Sequence, residues 1–196
     1  MKQVPIFLVE NAKQQTVVEK AVQFATKAHE GQVRKGVAVP YIFHPMEVME
    51  IVSGMTNDVD VIAAAVLHDT LEDCKSVAEE VLIMEFGERI TSFIKAESED
   101  KSKTWFERKS ATIIHLKTEH RKEVKMIALA DKLSNIRSMA RDYETLGEKI
   151  FTCFNQKDPS KIAWYYRSLK DAMSDLKDFK EYEEYCGLVE KVFQGK

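Results

Sequence analysis

The chain has 196 residues, of which 44% are hydrophobic and 31% charged, with a formal net charge of −3. That length supports one domain with a sizeable core, and the balance is that of a soluble globular protein rather than a disordered or membrane one. The small negative charge excludes the basic excess of a typical nucleic-acid binder, so an anionic ligand would need a local basic patch.

Only 7 Gly and 4 Pro punctuate the chain, which favours long helices over many short strands. Cys74, Cys153 and Cys186 are far apart and form no CxxC. A disulfide framework or zinc knuckle is therefore not expected, and a reducing cytoplasm is the expected compartment. No long apolar core follows Met1-Lys2-Gln3-Val4-Pro5, so no leader is expected. The apolar run 61–67 is too short to span a bilayer.

In chain order, Val17, Val18, Ala21, Val22, Phe24, Ala25 and Ala28 fall at helical spacing and predict a helix over 15–29. Gly31 to Pro40, with two glycines and the Arg34-Lys35 pair, reads as a loop. Pro45 suits the first turn of a second helix carrying Val48, Ile51 and Val52. Asn57-Asp58 caps a third helix expected to run unbroken over 59–73. Its middle is apolar on every side, as in a helix buried at the centre of a bundle.

Residues 75–96 predict two short helices broken at Phe86-Gly87, followed by a polar connection over 97–104. Helices are expected over about 105–117 and about 121–140. The chain after Gly147 is aromatic-rich, and a last acidic helix is expected over about 178–193. No repeat or linker marks a boundary. The expectation is a single all-α domain over 1–196, a bundle of roughly eight to ten helices.

The chemistry lies in polar residues on apolar helices. His68 and Asp69 close the most apolar segment of the chain. Burying a carboxylate costs on the order of several kcal/mol unless it is paired or binds a metal. Asp131 meets the same cost inside the apolar stretch 127–133. Two such carboxylates, one beside a histidine, suggest a shared cation, and His44 at a loop-to-helix junction is the natural further ligand. An imidazole and carboxylate set suits Mn²⁺, Fe²⁺ or Zn²⁺ rather than Ca²⁺.

Glu72 lies four residues after His68 and three after Asp69, so a continuous helix puts it on their face. With Asp73 it could order or deprotonate a water; the alternative is a solvated helix end. Asn135 and Ser138, four and seven residues after Asp131, could hydrogen-bond a ligand above the metal. Arg34 and Lys35 could bind phosphate, or could simply be solvated. His29 reads as a packing residue or as one that supports the ligands from behind. His115 and His120 read as surface. Lys101, Lys103, Arg108 and Lys109 could form a phosphate-facing patch, with a solvated helix face the preferred reading. Trp164-Tyr165-Tyr166 reads as core packing.

The residues Ala28-His29-Glu30-Gly31-Gln32, Arg34-Lys35-Gly36, Pro40-Tyr41-Ile42-Phe43-His44-Pro45, the stretch Ala64 to Asp73, Phe86-Gly87 and the stretch Leu129 to Arg137 occur in a distinctive order. On these motifs the chain resembles the HD-domain superfamily of metal-dependent phosphohydrolases, over about 15–170. More narrowly, it resembles the hydrolase domain of RelA/SpoT proteins and the stand-alone small alarmone hydrolases.

The resemblance implies an HD helical bundle with one divalent metal, usually Mn²⁺, on His44, His68, Asp69 and Asp131. It implies water activation by Glu72 and Asp73. It further implies nucleotide contacts from Arg34, Lys35 and Asn135, with Tyr41 beside the nucleotide and a hydroxyl at Ser138. The implied reaction removes the 3′-pyrophosphate of guanosine tetra- or pentaphosphate, leaving GDP or GTP. The length leaves no room for a synthetase domain, so hydrolysis alone is expected. Two alternatives stay open: an HD phosphohydrolase of another nucleotide, such as an adenosine alarmone or an NADPH-type phosphate, and a non-catalytic nucleotide sensor. The partner expected is a small nucleotide. The aromatic segment 151–166 and the acidic C-terminus could support a homodimer.

Overall fold

The computed structural model describes residues 15–34 and 38–196. It contains nine α-helices and no strand among the described residues; the only sheet-like pairing there is a single bridge between Val33 and Pro40. No helix among those residues is long and apolar enough to cross a membrane.

Helix α1 (Val17–Ala28) starts at a capping box, in which Thr16 and Glu19 each hold the other's backbone N–H. Ala21 and Ala25 turn inward. Helix α2 (Phe43–Met55) follows the loop, and His44 sits in its first turn. Helix α3 (Val59–Leu67) starts at Asp58, which accepts from Asp60 N–H at 3.0 Å. All of 63–67 is fully buried, so α3 is the bundle's central rod. It packs against α1 and α2, and its run of alanines lets neighbouring backbones come close.

The third helix departs from expectation. It ends at Leu67, and a short helix α4 (Thr70–Asp73) begins again after His68 and Asp69. The cause is local competition for carbonyls. Thr70 Oγ1 donates to Leu67 O at 2.7 Å and His68 Nδ1 lies 2.8 Å from Ala65 O, so side chains take acceptors that helix N–H groups would use.

Helix α5 (Glu79–Glu97) is kinked at Gly87, where φ is 81°. This is the break expected at Phe86-Gly87, and the left-handed backbone there favours glycine. Helix α6 (Trp105–Thr118) opens on a second capping box, Thr104 with Glu107. Helix α7 (Lys122–Leu146) runs past the expected 140 and stops at Gly147, where φ is 56°. A 3-10 helix (Gly147–Cys153) leads to α8 (Pro159–Ala172), which has Asp158 as cap and Pro159 in its first turn. Helix α9 (Lys180–Val192) closes the chain against α7.

Helix α2 touches both α3 and α7, and this packing sets the site, because the candidate ligands lie on or beside these three helices. The aromatic segment spends most of its rings inside. Phe151, Tyr165 and Tyr166 are buried, while Trp164 lies over Phe106, half exposed.

Candidate metal centre and active site

Four side chains converge where α2, the end of α3 and α7 meet. His44 Nε2 lies 3.1 Å from Asp131 Oδ1 and 3.6 Å from Asp69 Oδ2. His68 Nε2 lies 3.0 Å from Asp69 Oδ2 and 3.9 Å from Asp131 Oδ1. The ligand atoms of His44, His68 and Asp69 all fall within 4.8 Å of one another. Both imidazoles are buried, as is Asp131.

These residues fit a cation. His68 Nδ1 faces a carbonyl, Ala65 O, which can only accept; Nδ1 therefore carries the proton and Nε2 the lone pair in the neutral ring. Yet Nε2 is buried and makes no well-formed hydrogen bond, although Asp69 Oδ2 lies 3.0 Å away. A lone pair stranded among carboxylate oxygens is a cost that a bound ion removes.

The electrostatics agree. Burial works against a charge on His68, but the charges of Asp69 and Asp131 outweigh it and push the ring up to about 9. Burial likewise opposes the Asp69 carboxylate, and the charges of His68 and His44 hold it well below the usual range. For Asp131, burial is overcome by the charge of Lys132 and by His44. The cluster is built to gather positive charge.

The break after Leu67 swings Glu72 and Asp73 onto α4 beside this cluster. Lys101, from the polar connection, reaches over them. It donates to Glu72 O at 2.9 Å and to Asp73 Oδ1 at 2.7 Å, and lies 3.4 Å from Glu72 Oε1. Burial raises the Glu72 carboxyl above its ordinary value, Lys101 opposes that, and Asp69 adds to it. A raised carboxyl close to such a centre is suited to taking and returning a proton.

Tyr41 donates to Asp69 Oδ2 at 2.6 Å. Arg34 Nη2 donates to Asn135 Oδ1 at 3.1 Å, and Asn135 Nδ2 donates to Asp131 Oδ1 at 2.6 Å. Arg34 and Asn135, distant in sequence, therefore stand together at the rim of the cluster. Ser138 lies further along α7, half-buried. Lys35 lies outside the described residues.

The sequence reading missed three residues that bear on the site. Lys132, next to Asp131, binds its Oδ2 and leaves Oδ1 facing His44. The sequence places Lys101 with Lys103, Arg108 and Lys109 on a solvated or phosphate-facing surface. Instead, Lys101 guards the acidic pair, while Arg108 and Lys109 fold onto Glu99 at 2.8 and 2.6 Å. Ser134 lies behind His44, with Oγ 2.9 Å from Nδ1. The doubled charge of Lys101-Lys103 carried no signal distinguishing these roles.

The fold and this cluster define a class, and the chain belongs to it: the HD domain family, whose model matches residues 21–159. Membership implies a divalent metal, and the His/Asp cluster is where the chain could hold one. Among relatives, the guanosine-3′,5′-bis(diphosphate) 3′-pyrophosphohydrolase MESH1 of Danio rerio is 37% identical over 135 residues, covering 67% of this chain and 73% of that protein. The crystal structure of lmo0812 from Listeria monocytogenes EGD-e matches with a TM-score of 0.71 at 26% identity, over 77% of this chain and 99% of that one. A structure described as a metazoan ortholog of SpoT that hydrolyzes ppGpp shares the fold, with a TM-score of 0.75 at 23% identity over 92% of this chain and 97% of its own.

Proposed function

We propose that this chain is a metal-dependent hydrolase that removes the 3′-pyrophosphate of guanosine 3′,5′-bis(diphosphate). The observation that carries the reading is the convergence of His44, His68, Asp69 and Asp131, with the buried His68 Nε2 lacking a well-formed hydrogen bond, set beside the raised Glu72 carboxyl. MESH1 relatives named for this reaction support the substrate assignment.

In this reading His44, His68, Asp69 and Asp131 hold one divalent ion, with Mn²⁺ the favoured choice. When bound, such an ion supplies Lewis acidity, making water more acidic and offsetting phosphoryl charge. Glu72 takes a proton from the attacking water, helped by Asp73, and Lys101 keeps both carboxylates in place. Water oxygen bonds to the phosphorus next to the ribose 3′-oxygen. The P–O3′ bond breaks, the 3′-oxygen takes a proton, and pyrophosphate leaves. Arg34 and Lys35 contribute positive charge to the nucleotide, while Tyr41, Asn135 and Ser138 border it. The described chain acts as one HD-type unit. A nucleotide substrate and the free thiols of Cys74, Cys153 and Cys186 support a cytoplasmic location.

The test is product identity. With Mn²⁺ and guanosine 3′,5′-bis(diphosphate), the purified protein should release pyrophosphate and GDP in equal amounts. Release of orthophosphate alone, or preference by kcat/KM for an adenosine nucleotide in the same panel, contradicts the assignment.

A further inference from the structure

His44 and His68 are backed differently. His68 Nδ1 faces a neutral carbonyl, Ala65 O, at 2.8 Å. His44 Nδ1 faces a side chain, Ser134 Oγ, at 2.9 Å, and that hydroxyl also lies 2.8 Å from Glu47 Oε2. Ser134 is fully buried, on α7 one turn beyond Asp131.

A carboxylate only accepts and a hydroxyl has one proton to give. Ser134 therefore donates to Glu47 and accepts from His44 Nδ1–H, which leaves the lone pair on Nε2. The arrangement continues outward. Arg137 Nη1 lies 3.3 Å from Glu47 Oε1, and Glu184 on α9 clasps the same guanidinium through Nε at 2.7 Å and Nη2 at 2.6 Å. Glu47 thus sits one turn from His44 on α2, pinned from α7, with its charge passed through one buried hydroxyl.

We propose that Ser134 and Glu47 are positioning residues, a hydroxyl–carboxylate relay that locks His44 with Nε2 toward the cation. The inference rests on reading His44 as a metal ligand. Hydrogen-bonded partners behind a metal-bound histidine fix its tautomer and orientation, and raise its basicity.

The experiment titrates Mn²⁺ into chelator-stripped protein and reads free Mn²⁺ by electron paramagnetic resonance, with the thermal midpoint of the metal-free protein measured in parallel. Wild type should bind Mn²⁺, and His44→Ala should lose it. Ser134→Ala should bind about tenfold or more weakly, with the metal-free protein still showing a cooperative thermal transition. Ser134→Thr, which keeps the hydroxyl, should restore binding. Glu47→Gln, which keeps an acceptor but not the charge, should weaken it in the same direction. Wild-type affinity in Ser134→Ala or Glu47→Gln, or a loss in Ser134→Thr equal to that in Ser134→Ala, overturns the relay while leaving the metal centre standing. Unchanged binding in His44→Ala overturns the metal reading itself, and the relay with it.

Discussion

The Tyr41 hydroxyl donates over 2.6 Å to Asp69 Oδ2, the oxygen that lies 3.0 Å from His68 Nε2 and 3.6 Å from His44 Nε2. Burial first, and then the Asp69 charge, push the phenol well above its ordinary pKa, so it stays a donor. The ring comes from the loop before α2, and it aims the carboxylate at the cluster. Tyr41→Phe keeps the ring and removes the donor. Mn²⁺ affinity should fall about tenfold, as read by calorimetric titration.

Glu72→Gln keeps the shape of the side chain and removes its ability to take a proton. If Glu72 is the base, kcat should fall by about 10² to 10⁴. KM and Mn²⁺ affinity should change little, because the residue stands beside the ligand cluster rather than in it. Steady-state kinetics with a parallel metal titration separates the two effects.

Lys101 is one of the groups that set the Glu72 carboxyl, and its charge pulls the value down. Lys101→Ala should let that value rise. A base works only when deprotonated, so the acidic limb of the kcat–pH profile should move to higher pH in the variant. A limb that stays in place would mean that Glu72 is not the group titrating.

Glu97 gives a stability prediction. Its Oε1 is buried without a partner, and burial, opposed by Lys132 and reinforced by Asp131, pushes the carboxyl up from 4.5 to about 7. Between those values only the folded chain holds the proton, so raising the pH through the window lowers folding stability. Glu97→Gln lacks this loss. Its stability relative to wild type should therefore climb from pH 4.5 to about 7, by at most about 1.4 kcal/mol per unit, and level off above. Chemical denaturation of metal-free protein at pH 5 and pH 7 checks the sign.

The cluster was legible in the sequence for a simple reason. Asp69 and Asp131 stand beside runs that had to be buried, and 63–67 and 127–130 are indeed fully buried. Ionised groups in such places need a partner, and only two histidines had suitable settings. The kink at Gly87 and the cap at Asp58 were equally readable, since both are local backbone chemistry. The end of α3 was not, because it depends on Thr70 and His68 taking carbonyls that periodicity assigns to helix amides. The Lys101 contacts and the Glu47–Ser134 bond were hidden for another reason: they join residues far apart in the chain, and nothing in the surroundings of Ser134 separates it from Ser138. Arg108 and Lys109 looked solvated because their partner, Glu99, lies outside their own helix.

The most direct test is metal dependence of pyrophosphate release. Chelator-stripped protein should be inactive on guanosine 3′,5′-bis(diphosphate), and adding Mn²⁺ should restore pyrophosphate release up to a plateau at one ion per chain, with Asp69→Ala silent throughout. Undiminished release in the presence of chelator, or full activity in Asp69→Ala, would contradict the account.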